Sequence, residues 1–112
     1  MILYGISNCD TVRKARKFLE TNKIQHRFHD FRKEGITVAT IENWLKIQPI
    51  ELIVNQRSTS WKQITDEQKT ELMAGENLSL LTEHPTLIKR PVLEFGSTLW
   101  FGFNSADYEG LL

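Results

Sequence analysis

The sequence predicts an α/β fold built on a mixed four-stranded sheet. Three observations lead there. A short apolar run, Ile2-Leu3-Tyr4, passes through a polar turn into a segment of helical period and then into an alternating one. A long middle stretch carries helix signals and no strand pattern. The last part has two apolar segments joined by Gly96-Ser97, then a short tail. The order is βαβ, a helical block, then ββα.

Ile2 to Tyr4, closed by Gly5, reads as a buried strand. Ser7-Asn8-Cys9-Asp10 is a turn cluster, and Val12, Ala15, Phe18 and Leu19 follow at helical spacing. A helix from about residue 10 to residue 22 fits, ending near Asn22. Asp10 sits in its first turn, where negative charge is favoured, and Arg13, Lys14, Arg16 and Lys17 lie nearer the negative end of the dipole. Ile24 to Phe31 alternates and reads as a second strand. A strand, a helix and a strand within about 30 residues make a βαβ unit, with parallel strands and a right-handed crossover.

Residues 33 to 84 are helical in character. Thr40 can cap a helix carrying Ile41, Trp44, Leu45 and Ile47, which stops before Pro49. Leu52-Ile53-Val54 is a brief apolar segment, and residues 55 to 60 form a polar loop. Thr65-Asp66-Glu67-Gln68 is a capping-box pattern opening a helix to about Ala74. Leu78 to Glu83 reads as one more helix, ending before Pro85. Leu87 to Phe95 and Thr98 to Phe103 read as strands of a hairpin, and Ser105 to Leu112 as a last short helix. With residues 33–84 as a helical insertion in a single domain, 1–112, this is the order of a thioredoxin-like fold. The periodicity fits other small α/β arrangements as well.

At 112 residues the chain can bury a core without a disulfide or metal staple. Fourteen basic residues balance fourteen acidic ones, so net charge points to neither nucleic acid nor membrane. One cysteine excludes an internal disulfide and suits a reducing compartment. The N-terminus has no basic region followed by an apolar one, and no apolar stretch approaches the ~20 residues of a membrane span. The expected setting is the cytoplasm, as a monomer, with no nucleic-acid or membrane partner. His26 and His29 fall on opposite faces of a strand, and no metal site is expected.

Cys9 follows a strand and opens a helix. Free backbone N–H groups and the positive dipole end meet there and favour a thiolate. Asn8 can position the sulfur and Thr11 adds a hydroxyl, while the charge of Asp10 beside the sulfur opposes thiolate formation. Val12 stands where a second cysteine of a CxxC pair would be, so any mixed disulfide on Cys9 must be resolved by another molecule's thiol. Glutathione is the abundant cytosolic candidate.

The run Tyr4-Gly5-Ile6-Ser7-Asn8-Cys9-Asp10-Thr11-Val12-Arg13-Lys14-Ala15, with Lys89-Arg90-Pro91-Val92, resembles the arsenate reductase (ArsC)/Spx family, and within it the YffB subgroup. The resemblance covers essentially the whole chain. It implies a thioredoxin-like fold, Cys9 as nucleophile, Arg90 brought to the thiol, a cis Arg90–Pro91 bond, and Arg57 as a further active-site arginine. Arginine beside a thiolate stabilises it and binds oxyanions through paired hydrogen bonds. The implied activity is a glutathione-dependent monothiol reductase with no bound cofactor. Cys9 and Arg90 are the expected catalytic residues, and Asn8, Asp10, Thr11, Arg57 and Pro91 the expected substrate-binding ones. Arsenate reductases carry glycine where this chain has Asp10, and an arginine in the last hairpin where Gly96 to Trp100 has none. Both departures count against arsenate, leaving an unspecified oxidised or oxyanionic substrate. The alternative is an Spx-like adaptor that binds a protein such as RNA polymerase.

Overall fold

A computed structural model describes all 112 residues. Its elements run β1 (Ile2–Gly5), α1 (Asp10–Thr21), β2 (Arg27–Asp30) and α2 (Phe31–Glu34). Five short helices follow: α3 (Val38–Leu45), α4 (Ile50–Ile53), α5 (Thr59–Gln63), α6 (Asp66–Met73) and α7 (Ser79–Glu83). A 3-10 turn, Pro85–Leu87, leads to β3 (Val92–Phe95), β4 (Thr98–Phe101) and α8 (Ser105–Glu109). The chain forms two compact units, residues 1–34 with 90–112, and residues 35–89.

The first unit is a four-stranded sheet in the order β2-β1-β3-β4. β1 and β2 are parallel, with Gly5 opposite Asp30. β3 runs antiparallel to β1 with Val92 opposite Tyr4, and β4 antiparallel to β3. The sheet is mixed, and the architecture is the thioredoxin-like one that the element order predicts. Val12, Ala15 and Leu19 line one face of α1 and are fully buried. Ala15 and Leu19 join Leu3, Leu93 and Tyr108 in one core cluster.

The second strand is shorter than the alternation from Ile24 suggests. β1 begins at Ile2, which pairs with Arg27, so residues before Arg27 have no β1 residues to pair with. They close α1 instead: Lys23 takes a left-handed φ of 54°, and Ile24 N–H donates to Leu19 O at 2.8 Å. β3 likewise begins at Val92 rather than Leu87. Ile88 pairs with Val54 in an isolated bridge, and Pro91 brings no N–H to a ladder.

In the helical unit the cap of α3 is Thr37, whose Oγ1 accepts from Thr40 N–H at 3.2 Å; Thr40, the expected cap, lies inside the helix. Leu52 and Ile53 of the brief apolar segment belong to the α4 turn, and Val54 is its C-cap. Ser58 accepts from Trp61 N–H, so α5 claims the end of the expected polar loop. The capping box at α6 forms as predicted, with Thr65 and Gln68 bonding reciprocally. Ile41, Trp44, Ile53, Val54, Leu72, Leu81, Leu87 and Ile88 are fully buried. No helix is long and apolar enough to cross a membrane.

Tyr108 anchors α8 under an aromatic cluster, 4.7 Å from Phe103 and 5.8 Å from both Phe18 and Trp100, centroid to centroid. Its hydroxyl is buried without a hydrogen-bond partner, and burial pushes its pKa up. An unpartnered buried hydroxyl costs about 1–3 kcal/mol. Tyr108→Phe keeps the ring and removes the penalty, so it is expected to raise the unfolding free energy by about 1 kcal/mol in urea titration.

Candidate active site

β1 ends at Gly5, and a short turn carries the chain into α1. Cys9 N–H donates to Ile6 O at 3.2 Å, and Arg13 N–H donates to Cys9 O at 2.9 Å. Cys9 is therefore the N-cap of α1, with an extended φ of −98° and ψ of 126°. An N-cap side chain faces the unpaired amides of the first turn. Here that side chain is a thiol, half-buried, and it makes no capping hydrogen bond. The strand-to-helix turn thus sets the sulfur at the positive end of a twelve-residue helix.

Gly5 makes this placement feasible. A Cβ on Gly5 would lie 2.7 Å from Val12 Cγ2 and 2.9 Å from Cγ1. The first turn of α1 rests directly on the β1 backbone there. In the sequence Gly5 closes a strand and belongs to the family-like run; the close approach depends on a packing distance that no local pattern carries.

Asn8 and Thr11 flank the sulfur as exposed residues. Asp10 forms an ion pair with Arg13 at 2.6 Å, so its carboxylate already has a cationic partner on the helix surface. That partner offsets the repulsion a carboxylate beside the thiol would exert on an anion.

Arg90 and Pro91 enter the same end of the sheet. Since Val92 stands opposite Tyr4, Pro91 falls beside Gly5, where the Cys9 turn begins. The Arg90–Pro91 peptide is cis, and Pro91 O accepts from Gly102 N–H at 2.8 Å. Arg90 is half-buried, and its Nε–H is buried with no acceptor in the protein. Burial pulls the Arg90 pKa below the usual arginine value; the Cys9 thiolate opposes that fall, and Arg32 adds to it. Arg90 and Cys9 are thus within electrostatic reach of each other. Arginine remains a cation across the physiological range. Arg32, which no sequence pattern singles out, follows β2 by two residues.

Arg57 belongs to the helical unit. Its backbone N–H donates to Asn55 Oδ1 at 3.1 Å, and with Glu51, Asn55, Gln56 and Lys89 it lines a pocket of about 380 Å³ within that unit.

Residues 4–111 match the ArsC family. The structure superposes on that of a YffB protein with a TM-score of 0.90 at 33% identity, covering 97% of this chain and 96% of the other. An arsenate reductase (ArsC) related protein from Brucella melitensis is 38% identical with a TM-score of 0.75, covering 97% of this chain and 91% of that one. The global transcriptional regulator Spx 2 of Bacillus anthracis is 26% identical over 114 aligned positions, covering all of this chain and 86% of the regulator.

Proposed function

The chain belongs to the ArsC family, and on that footing we propose that it is a monothiol reductase in which Cys9 is the nucleophile and glutathione the resolving thiol. The observation that carries this reading is the half-buried thiol at the N-cap of α1, with the Arg90 guanidinium in electrostatic reach. A helix N-terminus and an arginine both interact favourably with an anionic sulfur.

For a disulfide substrate, the Cys9 thiolate attacks one sulfur, forms a mixed disulfide and releases the other half as a thiolate. Glutathione thiolate attacks that mixed disulfide and frees the second half, leaving Cys9 joined to glutathione. A second glutathione releases Cys9 and departs as oxidised glutathione. The net change is one disulfide reduced to two thiols at the expense of two glutathione molecules. Val12 at the i+3 position leaves no thiol in the chain to resolve Cys9. Arg90 stabilises the attacking sulfur, and its guanidinium is the group that pairs with an anionic part of the substrate. The arginine-free hairpin from Gly96 to Trp100 fits arsenate less well than a disulfide or another oxidised compound.

Arg90→Ala is expected to slow alkylation of Cys9 by iodoacetamide at pH 7 roughly tenfold, the size of one charge-assisted interaction. An unchanged rate would remove Arg90 from the mechanism.

The likeness to the Bacillus anthracis regulator, over all of this chain and 86% of that one, supports a second reading, a module that docks on a protein such as RNA polymerase. Ile47 and Leu52, exposed at 45% and 43%, are candidate contacts. Partner binding that survives Cys9→Ser would favour docking over catalysis.

A further inference from the structure

We infer that Arg32 is a second anion-binding arm of the Cys9 site, holding a carboxylate or other oxyanion next to the atom that Cys9 attacks. The inference rests on the reading of Cys9 as the nucleophile and adds a specificity-determining residue to it.

Topology places Arg32 at the right end of the sheet. Asp30 stands opposite Gly5 in the parallel pair, so the turn after β2 leaves beside the turn that carries Cys9. The cis Arg90–Pro91 turn enters at that same end, one step beyond the Tyr4–Val92 pair. Three connections therefore converge there, one bearing the thiol and two bearing guanidinium groups. Carboxyl ends of parallel strands are where α/β sheets take ligands.

The Arg32 turn is held firmly. Asp30 is a buried charged residue, 5% exposed, and its Oδ1 accepts from Arg32 N–H at 2.8 Å. This is an Asx turn, in which a side chain fixes the backbone two residues on. Phe31, 2% exposed, stacks on Tyr4 with centroids 6.0 Å apart and pins the turn to β1.

The surrounding carboxylates are already engaged. Glu34 faces Arg27 at 3.7 Å and His29 at 3.9 Å. Asp10 is paired with Arg13, and Asp30 with the Arg32 amide. Glu94 stands opposite Ile2, toward the other end of β1. Arg32 is exposed and forms no ion pair in the structure, while Arg90 keeps an unsatisfied buried Nε–H. Arg32 and Arg90 are near enough to repel each other. Two guanidinium groups at one end of the sheet, neither in an ion pair with a carboxylate, are stabilised together by a bound anion. The chemistry required is an oxyanion on the reacting molecule, from a carboxylate of the thiol cosubstrate or from the substrate.

The test compares two alkylating reagents of similar size and the same leaving group. With either, the Cys9 thiolate displaces iodide and forms a thioether; iodoacetate carries a negative charge and iodoacetamide none. Rates are measured on the folded wild type, Arg32→Ala, Arg32→Lys and Arg32→Glu. Arg32→Ala is expected to lower the iodoacetate-to-iodoacetamide rate ratio about fivefold, as loss of one near-surface charge would. Arg32→Glu should lower it further, and Arg32→Lys should keep most of it. A ratio that stays constant in the Ala and Glu variants, or rates that fall in parallel for both reagents, would overturn Arg32's role while leaving Cys9 reactive. A wild type whose Cys9 reacts with neither reagent would instead overturn the nucleophile reading on which this inference rests. A second arm uses oxidised glutathione and a neutral aliphatic disulfide. A loss confined to oxidised glutathione in Arg32→Ala assigns the oxyanion to the cosubstrate. Equal rates with both disulfides alongside a lowered iodoacetate ratio assign it to the substrate.

Discussion

Cys9→Ser is expected to abolish glutathione-dependent reduction of a small disulfide, by about three orders of magnitude or more. Serine fits the N-cap as well as cysteine or better, since its hydroxyl accepts from first-turn amides. The variant should therefore fold normally, and its circular dichroism and urea midpoint serve as the control. The chain holds no other cysteine, so nothing within it can substitute. A serine hydroxyl at neutral pH is not ionised and cannot form a mixed disulfide. Activity remaining above a tenth of wild type would place the chemistry elsewhere.

Gly5→Ala should lower stability and reactivity together. Its Cβ would meet Val12 at 2.7 and 2.9 Å, inside any relaxed carbon–carbon contact. Val12 is fully buried and β-branched, with one strongly preferred rotamer in a helix, so it cannot swing aside. The strain is relieved by lifting the first turn of α1 off β1. Overpacking of this kind costs about 1–3 kcal/mol. That turn carries Cys9 at its N-cap, so the sulfur is displaced from its native position. The expected result is a lower urea midpoint together with slower iodoacetamide alkylation under folding conditions. Gly5→Ala with Val12→Ala removes the clash and should recover the alkylation rate, though not the full stability, because a buried side chain has been truncated. A double variant as slow as the single one would separate Gly5 from the placement of Cys9.

What could be read from the chain and what could not divide along the range of the interactions involved. β1, α1 and the α6 capping box are local: an apolar run, residues at i, i+3 and i+7, and Thr65 bonding reciprocally with Gln68. The beginning of β2 is not local, because Ile2 decides it from the far side of α1. The Val54–Ile88 bridge joins segments that share no pattern, and the stretch from Leu87 reads as a strand until that partner is known. Thr37 and Thr40 are both competent caps, and only the helix start at Val38 chooses between them. In the site, Cys9 was legible from its strand-to-helix position, and Arg90 from a motif rather than from physics. Arg32 was invisible because its environment is assembled by three separate connections, and one exposed arginine after a strand carries no signal. Asp10 reads in the sequence as an obstacle to anion binding, and its pairing with Arg13 is a feature of the folded helix surface.

The central claim is that this fold turns Cys9 into a nucleophile. The most direct measurement compares the iodoacetamide rate of Cys9 at pH 7 in the native chain and in the same chain unfolded in urea, corrected with a small free thiol in both solvents. Burial alone would slow the native thiol, whereas the α1 amides and Arg90 should overcome that and accelerate it. A corrected native rate about tenfold or more above the unfolded one is expected. A native rate equal to or below the unfolded one would contradict the account, making Cys9 a half-buried thiol with no enhanced reactivity.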